Sequence, residues 1–391
     1  MHYVRLLRPP TVEQGRSHRQ LKISLTITTD LGDAYLFSQE PIELAVVGAY
    51  QNAEGRLVPV NLTQNASPRW RAGMRALKFD LQLPRNPIST IQIRPANRQL
   101  TALATSDVYP VGQSNGLVMG VYVDLPSSEG MPSQVCFRSL RLTGASQDPA
   151  AAVNALQVEE DFGDSIARHI WDGGVVTLSL VADLCLASPV PVRHNPMPLL
   201  SNILCGQRRE LNILELGCGV GIVGIGFLRI LKASSYGVSP KILMTDLSEA
   251  EERAQANISR CLADSQSSEG GRADVEFESL DWQDGKVGLF GEKVQSQPWD
   301  LLLVSECTYN TDTLLALVQT LSAIHAHSVQ KTGGSHTTKI FLATKPRHSS
   351  EREAFDMFAE EGWRVEEQTV VPLPVLNSNA QSVEMYLLSK S

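Results

Sequence analysis

Glu306-Cys307-Thr308-Tyr309 sets a carboxylate and a phenol three positions apart. The apolar run just before them, DLLLV from Asp300 to Val304, has the length and aliphatic content of a buried strand. A chain that leaves such a strand through an acid and an aromatic is suited to hold an amine. The carboxylate attracts the cation and accepts an N–H, and the ring offers a π face or a hydroxyl. A competing assignment makes Glu306 the cap of a helix beginning near Asp312 and puts Tyr309 in the core.

A second constellation lies upstream. ILELGCGVGIVGI reads as strand, turn and helix, with Gly217, Gly219 and Gly221 at the junction. Glycine there permits a positive φ and a close ligand approach, and the helix start supplies free N–H groups and a positive dipole end. A plain tight turn is the simpler alternative. The run is G-x-G-x-G, not the G-x-G-x-x-G of dinucleotide folds, and no GK[ST] follows. Glu215 stands beside the loop, where it repels a pyrophosphate and suits an ammonium such as the amino-acid end of S-adenosylmethionine. KILMTD ends in Asp246, placed either to accept from a ribose diol or to cap the next helix. LDWQD follows a third strand. Asp281 suits an adenine amino group, and Trp282 offers either a flat ligand-facing surface or core packing.

The elements that must position these groups fall into two textures. Residues 1–145 read as short strands divided by turn clusters such as QNAEG, LPRNP and LPSSEGMP. LKISLTI and ALKFDLQL alternate apolar and polar positions, and IELAVVGAY, TIQIRPA, GLVMGVYVDL and QVCFRSLRL are further strands. SQDPAAAV is a small-residue stretch, which puts a linker at 146–154. From 155 to 391 strands and helices alternate in five βα crossings, closed by WRVEEQTVV and QSVEMYLLS as an antiparallel edge hairpin. The fold class is therefore α/β: a Rossmann-like, doubly wound seven-stranded sheet, preceded by a smaller β-rich domain that is a sandwich or a barrel. Residues 265–274 and 285–297 read as surface loops.

Composition bounds the remaining classes. The chain has 391 residues and a formal net charge of -8. Residues from 151 onward hold 31 acids and 19 bases, a balance of -12, and the first 150 hold 11 acids and 15 bases, a balance of +4. An acidic second half argues against a nucleic-acid partner and would draw in a basic one. The six cysteines form no CxxC and no Cys/His cluster, so neither a metal site nor a disulfide framework is indicated. Reduced thiols fit the cytoplasm or the nucleus. The start MHYVRLLRPPTVEQ lacks an apolar signal core, and no apolar run approaches the ~20 residues of a membrane span. The sequons at Asn61, Asn65 and Asn257 are then idle. Lys345, Arg347 and His348 after strand five read as solvated loop charges, with lining of the substrate mouth as the alternative. His325 and His327 read as outer-helix residues.

ELGCGVG, an acid after strand two, LDW after strand three and E-x-x-Y after strand four together resemble a class I, seven-β-strand S-adenosylmethionine-dependent methyltransferase. Within that class the chain is similar to the non-histone protein-lysine methyltransferase branch, methyltransferase family 16, over residues 155–391. An upstream Trp171-Asp172 before an apolar helix belongs to the same pattern. The resemblance implies cofactor contacts from Trp171, Glu215, Gly217, Cys218, Gly219, Gly221, Asp246, Asp281, Trp282 and Ser305. It implies a substrate-facing role for Glu306 and Tyr309, no metal, and a protein substrate bearing a lysine. Two departures stand out: the longer Glu306 where the branch often has Asp, and Gly173-Gly174 where it has a helix-favouring pair.

Methyl transfer from a sulfonium is an in-line displacement that needs alignment above all. A lysine amine, with a pKa near ~10.4, is roughly one part in a few thousand neutral at pH 7, so the site must collect a cation and deliver a neutral amine. The nearby sulfonium lowers the amine pKa by like-charge repulsion, and the proton released to solvent needs no dedicated base. Alternatives are methylation of arginine, histidine or a small amine, and a cofactor-binding interaction module whose β-rich half receives a partner.

Overall fold

A computed structural model describes residues 1–390 apart from 16–17, 53, 65–66, 110–115, 126–132, 144–154, 163–165, 187–194, 207–209, 265–273 and 377–379. The expected linker and all but the last residue of the loop at 265–274 lie outside the described residues.

The alternation of Leu21, Ile23, Leu25 and Ile27 buries all four side chains within the strand Arg19–Thr28. That strand pairs with His2–Leu6, Thr11–Gln14 and Leu77–Gln82 in a six-stranded sheet completed by Val118–Met119 and Thr101–Ala102. A second, seven-stranded antiparallel sheet runs through Ala155–Asp161, Val135–Arg141, Val121–Asp124, Thr90–Pro95, Ile42–Gln51 and Leu57–Asn61, with Arg69–Trp70 beside Ile42–Gln51. Inward residues of both sheets share one core, in which Ile23 and Leu25 of the first join Leu44, Ile91 and Ile93 of the second. The β-rich half is therefore a sandwich. GLVMGVYVDL, expected as one strand, crosses from one sheet to the other at Gly120, where a Cβ would sit 2.8 Å from the Ile93 carbonyl oxygen. Ala155–Asp161, expected to open the second half, pairs along its whole length with Val135–Arg141 and so extends the sandwich sheet.

The second half is one seven-stranded sheet in the order Val275–Ser279, Ser239–Asp246, Glu210–Leu216, Leu301–Ser305, Lys339–Thr344, Ser382–Lys390 and Trp363–Pro372. The first five strands are parallel, and Ser382–Lys390 is antiparallel to both of its neighbours. The terminal hairpin is thus inserted with its last strand inside and Trp363–Pro372 at the edge. Period-two alternation sends Leu211, Ile213, Leu301 and Leu303 to one face. Leu214, Leu216, Leu302 and Val304 go to the other. The first face is covered by the helices Asp172–Leu186, Ile222–Ala233 and Ser248–Asp264, the second by Thr311–Lys331 and Glu353–Glu360. Both faces are dry, which is why these strands are continuously aliphatic.

The two halves share a core. Tyr3, Leu140, Leu156 and Val158 of the sandwich pack in the cluster that holds Val175, Phe227 and Ile258. Asn257, a sequon residue, is fully buried at this seam and bonds the backbone of Glu159 and the carbonyl of Val220. Next to it Glu160 pairs with Arg138 at 2.6 Å and accepts the Ile170 N–H at 2.7 Å. Arg138 also donates to the carbonyls of Val4 and Gly120 at 2.9 Å. This buried pair fixes the segment leading into the helix Asp172–Leu186. Arg138→Ala should strand the Glu160 charge and cost about 3–5 kcal/mol, read as a lowered denaturant midpoint.

Candidate active site

Three glycines close the turn after Glu210–Leu216, each in the left-handed region: Gly217 at φ 68°, Gly219 at φ 53° and Gly221 at φ 81°. Crowding also forbids side chains here. A Cβ on Gly217 would lie 2.4 Å from the Cys307 sulfur, and one on Gly221 would lie 2.7 Å from Met244. Gly221 is the residue before the helix Ile222–Ala233. Asp246 clamps the turn, accepting the Gly219 N–H and the Leu247 N–H at 2.7 Å each. The expected alternative, capping of the next helix, is thus replaced by a bond across to the glycine loop. Glu215 is buried and accepts the Gly224 N–H at 2.9 Å. Burial, with Asp246 adding to it, pushes its carboxyl up to about 8. Asp281 accepts the Gln283 N–H at 2.8 Å and caps the short helix Trp282–Gly285. Trp282 leans over the loop, 3.4 Å from where a Gly217 Cβ would be.

On the other side of the loop, Glu306 is the sole non-glycine residue at positive φ among the described residues, at 58°. Its backbone N–H still bonds the Ala343 carbonyl, so the chain turns sharply as it leaves the strand Leu301–Ser305. The turn drives the carboxylate back against the helix start at Gly173, where a Cβ would fall 2.2 Å from Oε1. The two sequence departures therefore compensate one another: the space a side chain at 173 would fill is occupied by the longer acid. Glu306 is 8% exposed, and Oε1 has no hydrogen-bond partner among the described residues. Burial is the main cause that pushes its carboxyl up to about 7, against the pull of Arg347.

The assignment of Glu306 as a helix cap is overturned. Asn310 caps Thr311–Lys331 by accepting the Asp312 N–H at 3.2 Å, and Tyr309 is 52% exposed, outside the core. Cys307 is buried behind the loop, and burial holds its thiol well above the ordinary range. The reading of Lys345 and Arg347 as solvated loop charges is also overturned. Lys345 is 6% exposed and bonds Asp30 at 2.9 Å and Asp172 at 2.8 Å. Arg347 pairs with Glu306 and with Asp30, the latter at 2.8 Å, and its guanidinium lies 5.5 Å from the centre of the Trp171 ring. Asp172 further accepts the Tyr3 hydroxyl at 2.7 Å and the Met1 amino group at 2.8 Å. His348 caps a short 3-10 turn. His325 packs edge-on against Trp363, and His327 lies 3.2 Å from the Gln295 carbonyl oxygen.

One cavity of about 720 Å³ gathers Trp171, Glu215, Gly217, Cys218, Gly219, Asp246, Asp281, Trp282, Ser305, Glu306 and Tyr309. Gly221 is not among its lining residues. The cavity also takes Arg347 and His348, as the alternative reading of that loop had it, and Leu31 and His169, which the sequence patterns did not single out. Leu31 and its neighbour Asp30 come from the sandwich, some 275 positions before Glu306, and no local spacing joins them to the motif.

A family model described as lysine methyltransferase matches residues 151–361, more than half of the chain. The chain belongs to this family. A UPF0665 family protein of Schizosaccharomyces pombe is 23% identical over 354 residues, 90% of each chain. Among solved structures, TYW2 of M. jannaschii in complex with AdoMet aligns with a TM-score of 0.36 at 10% identity, over 68% of this chain and 93% of that one. Precorrin-6y C5,15-methyltransferase of Geobacter metallireducens aligns with a TM-score of 0.31 at 11% identity, over 54% and 94%.

The residues of this methyltransferase's cavity fit S-adenosylmethionine. The glycine turn has no room for side chains, and among the described residues Glu215 is a buried acid without a cationic partner and the buried Ser305 hydroxyl has no hydrogen-bond partner. Gly173→Ala should destabilise the methyltransferase by about 1–3 kcal/mol through overpacking. Adding Glu306→Asp should recover most of that loss in a double-mutant cycle of denaturant midpoints. Simple additivity of the two costs would contradict the compensation.

Proposed function

We propose that this methyltransferase acts on the side-chain amine of a lysine in a protein substrate. The observation that carries the reading is that Glu306 and Tyr309 line the same cavity as the glycine turn. S-adenosylmethionine supplies an electrophilic methyl carbon when bound. Glu215 would hold its ammonium, Asp246 its ribose hydroxyls, and Asp281 and Trp282 its adenine. Trp171 and Ser305 close the middle of the site. Tyr309, exposed at the mouth, walls the path of an extended side chain and offers its ring or hydroxyl. Glu306 accepts an N–H of the incoming amine and so directs the nitrogen lone pair. The acidic balance of this half favours a basic substrate segment.

The test is transfer of label from methyl-labelled S-adenosylmethionine to proteins of a lysate, with acid hydrolysis and amino-acid analysis of the product. Methyl-lysine is expected, and methyl-arginine or methyl-histidine as the labelled product would overturn the proposal. Glu306→Ala should reduce transfer by about 100-fold or more and leave cofactor affinity by calorimetry within a few fold. Protonated Glu306 attracts no cation and loses acceptor strength. Because burial lifts that carboxyl to about 7, transfer should rise with pH through about 7, beyond the increase due to the amine itself.

A further inference from the structure

We propose that the N-terminal sandwich completes the active site. Asp30 holds the Arg347 guanidinium, and Arg347 acts as a positioning residue that fixes the direction and the charge of the Glu306 carboxylate.

The geometry is an unbroken chain of charges between the halves. Asp30 ends the sandwich segment that follows the strand Arg19–Thr28, and it is 2% exposed. Its Oδ2 takes Arg347 Nη2 at 2.8 Å, and its Oδ1 takes Lys345 Nζ at 2.9 Å. The other terminal nitrogen of Arg347 reaches Oε2 of Glu306. A guanidinium held at both ends by carboxylates is a planar fork with little freedom. It commits Oε2 and leaves Oε1 as the acceptor without a partner among the described residues. Leu31, next to Asp30, lines the same cavity as Tyr309, so the sandwich reaches the cavity as well as the charge chain.

The chemistry follows from the pairing. A lone buried carboxylate either stays protonated or clasps an ammonium, and both outcomes hinder methylation. An acid already neutralised by Arg347 can accept an N–H from an amine without holding it as a cation, and the positive guanidinium nearby favours the neutral amine. The charged groups facing Glu306 are Arg347 from the segment after Lys339–Thr344, Asp30 from the sandwich and Asp172 from the start of its helix. Lys345 lies behind them on Asp30 and Asp172, and the adjoining Cys307 thiol is neutral.

Opposite signs make the test sharp. Arg347→Gln removes the cation on Glu306, so the Glu306 titration midpoint should rise from about 7 by about one unit or more. Asp30→Asn removes a like charge and keeps an amide oxygen that accepts from Arg347, so Arg347 stays on Glu306 and the midpoint should fall. Arg347→Lys keeps the charge and should stay near the wild-type value, which guards against a glutamine variant that folds poorly. The measurement is the carboxyl carbon shift of Glu306 against pH in the full chain labelled with carboxyl-13C glutamate, assigned by the signal lost in Glu306→Gln. Midpoints that do not move, or that move in the same direction in Arg347→Gln and Asp30→Asn, overturn the proposal. This readout needs no substrate. Its catalytic consequence alone rests on the lysine reading. With the labelled lysine acceptor, Arg347→Gln should lower kcat at pH 7 about tenfold or more and regain activity as the pH passes the new midpoint. An unchanged kcat with a lower KM would instead make Arg347 a plug displaced by substrate, and would overturn the positioning role. A wild-type chain that labels no lysine sinks the proposed function and leaves the titration result standing.

Discussion

Three carboxylates taken out of water within one connected chain of contacts set the terms for the rest of this molecule. Asp30, Asp172 and Glu306 are all at least nine-tenths buried. Burying such groups costs several kcal/mol each unless cations and hydrogen bonds compensate. Lys345, Arg347, Tyr3 and the Met1 amino group supply the partners, and they come from both halves of the chain. Separating the halves would leave unpaired charges in a low-dielectric seam. The sandwich is therefore bound to the methyltransferase sheet by the same groups that surround the reacting acid, and by a shared apolar core beneath them.

Local strain at Glu306 has a place in this arrangement. A glutamate in the left-handed region costs on the order of 1–3 kcal/mol, and an unpaired buried oxygen costs a similar amount. The surrounding structure holds both in place: the strand bond to Ala343, the missing side chain at Gly173 and the Arg347 fork. A buried carboxyl kept near neutrality by opposing neighbours is a usual mark of a reacting centre. Glu215 shows the same logic on the cofactor side, with one oxygen satisfied by the helix start and a raised carboxyl that an ammonium would bring down.

Asp246 and Trp282 show that a ligand-facing residue can carry a structural task as well. Asp246 closes the glycine turn through the Gly219 N–H and still lines the cavity. Trp282 packs against the second-face core and over the loop. Changing either residue would disturb the shape of the turn before it touched affinity, so their roles separate only when folding and binding are read independently.

Much of the fold was legible because burial leaves a periodic trace. The continuous aliphatic strands of the second half, the alternation in Arg19–Thr28 and the three glycines each follow from constraints within a few residues. Glu306 and Tyr309 stood out as a pair, but the sequence left Glu306 open as a helix cap until the fold placed Asn310 one position before the helix. Tertiary structure decided what distance along the chain conceals. That GLVMGVYVDL divides between two sheets depends on a backbone contact at Gly120 with residues nearly thirty positions away. That Lys345 is buried and Arg347 half-buried, each paired and not solvated, depends on Asp30, more than three hundred positions upstream. A charge in a sequence carries no record of its counter-charge, because the Coulomb energy that settles its fate is fixed by proximity and dielectric, and only the folded chain sets those.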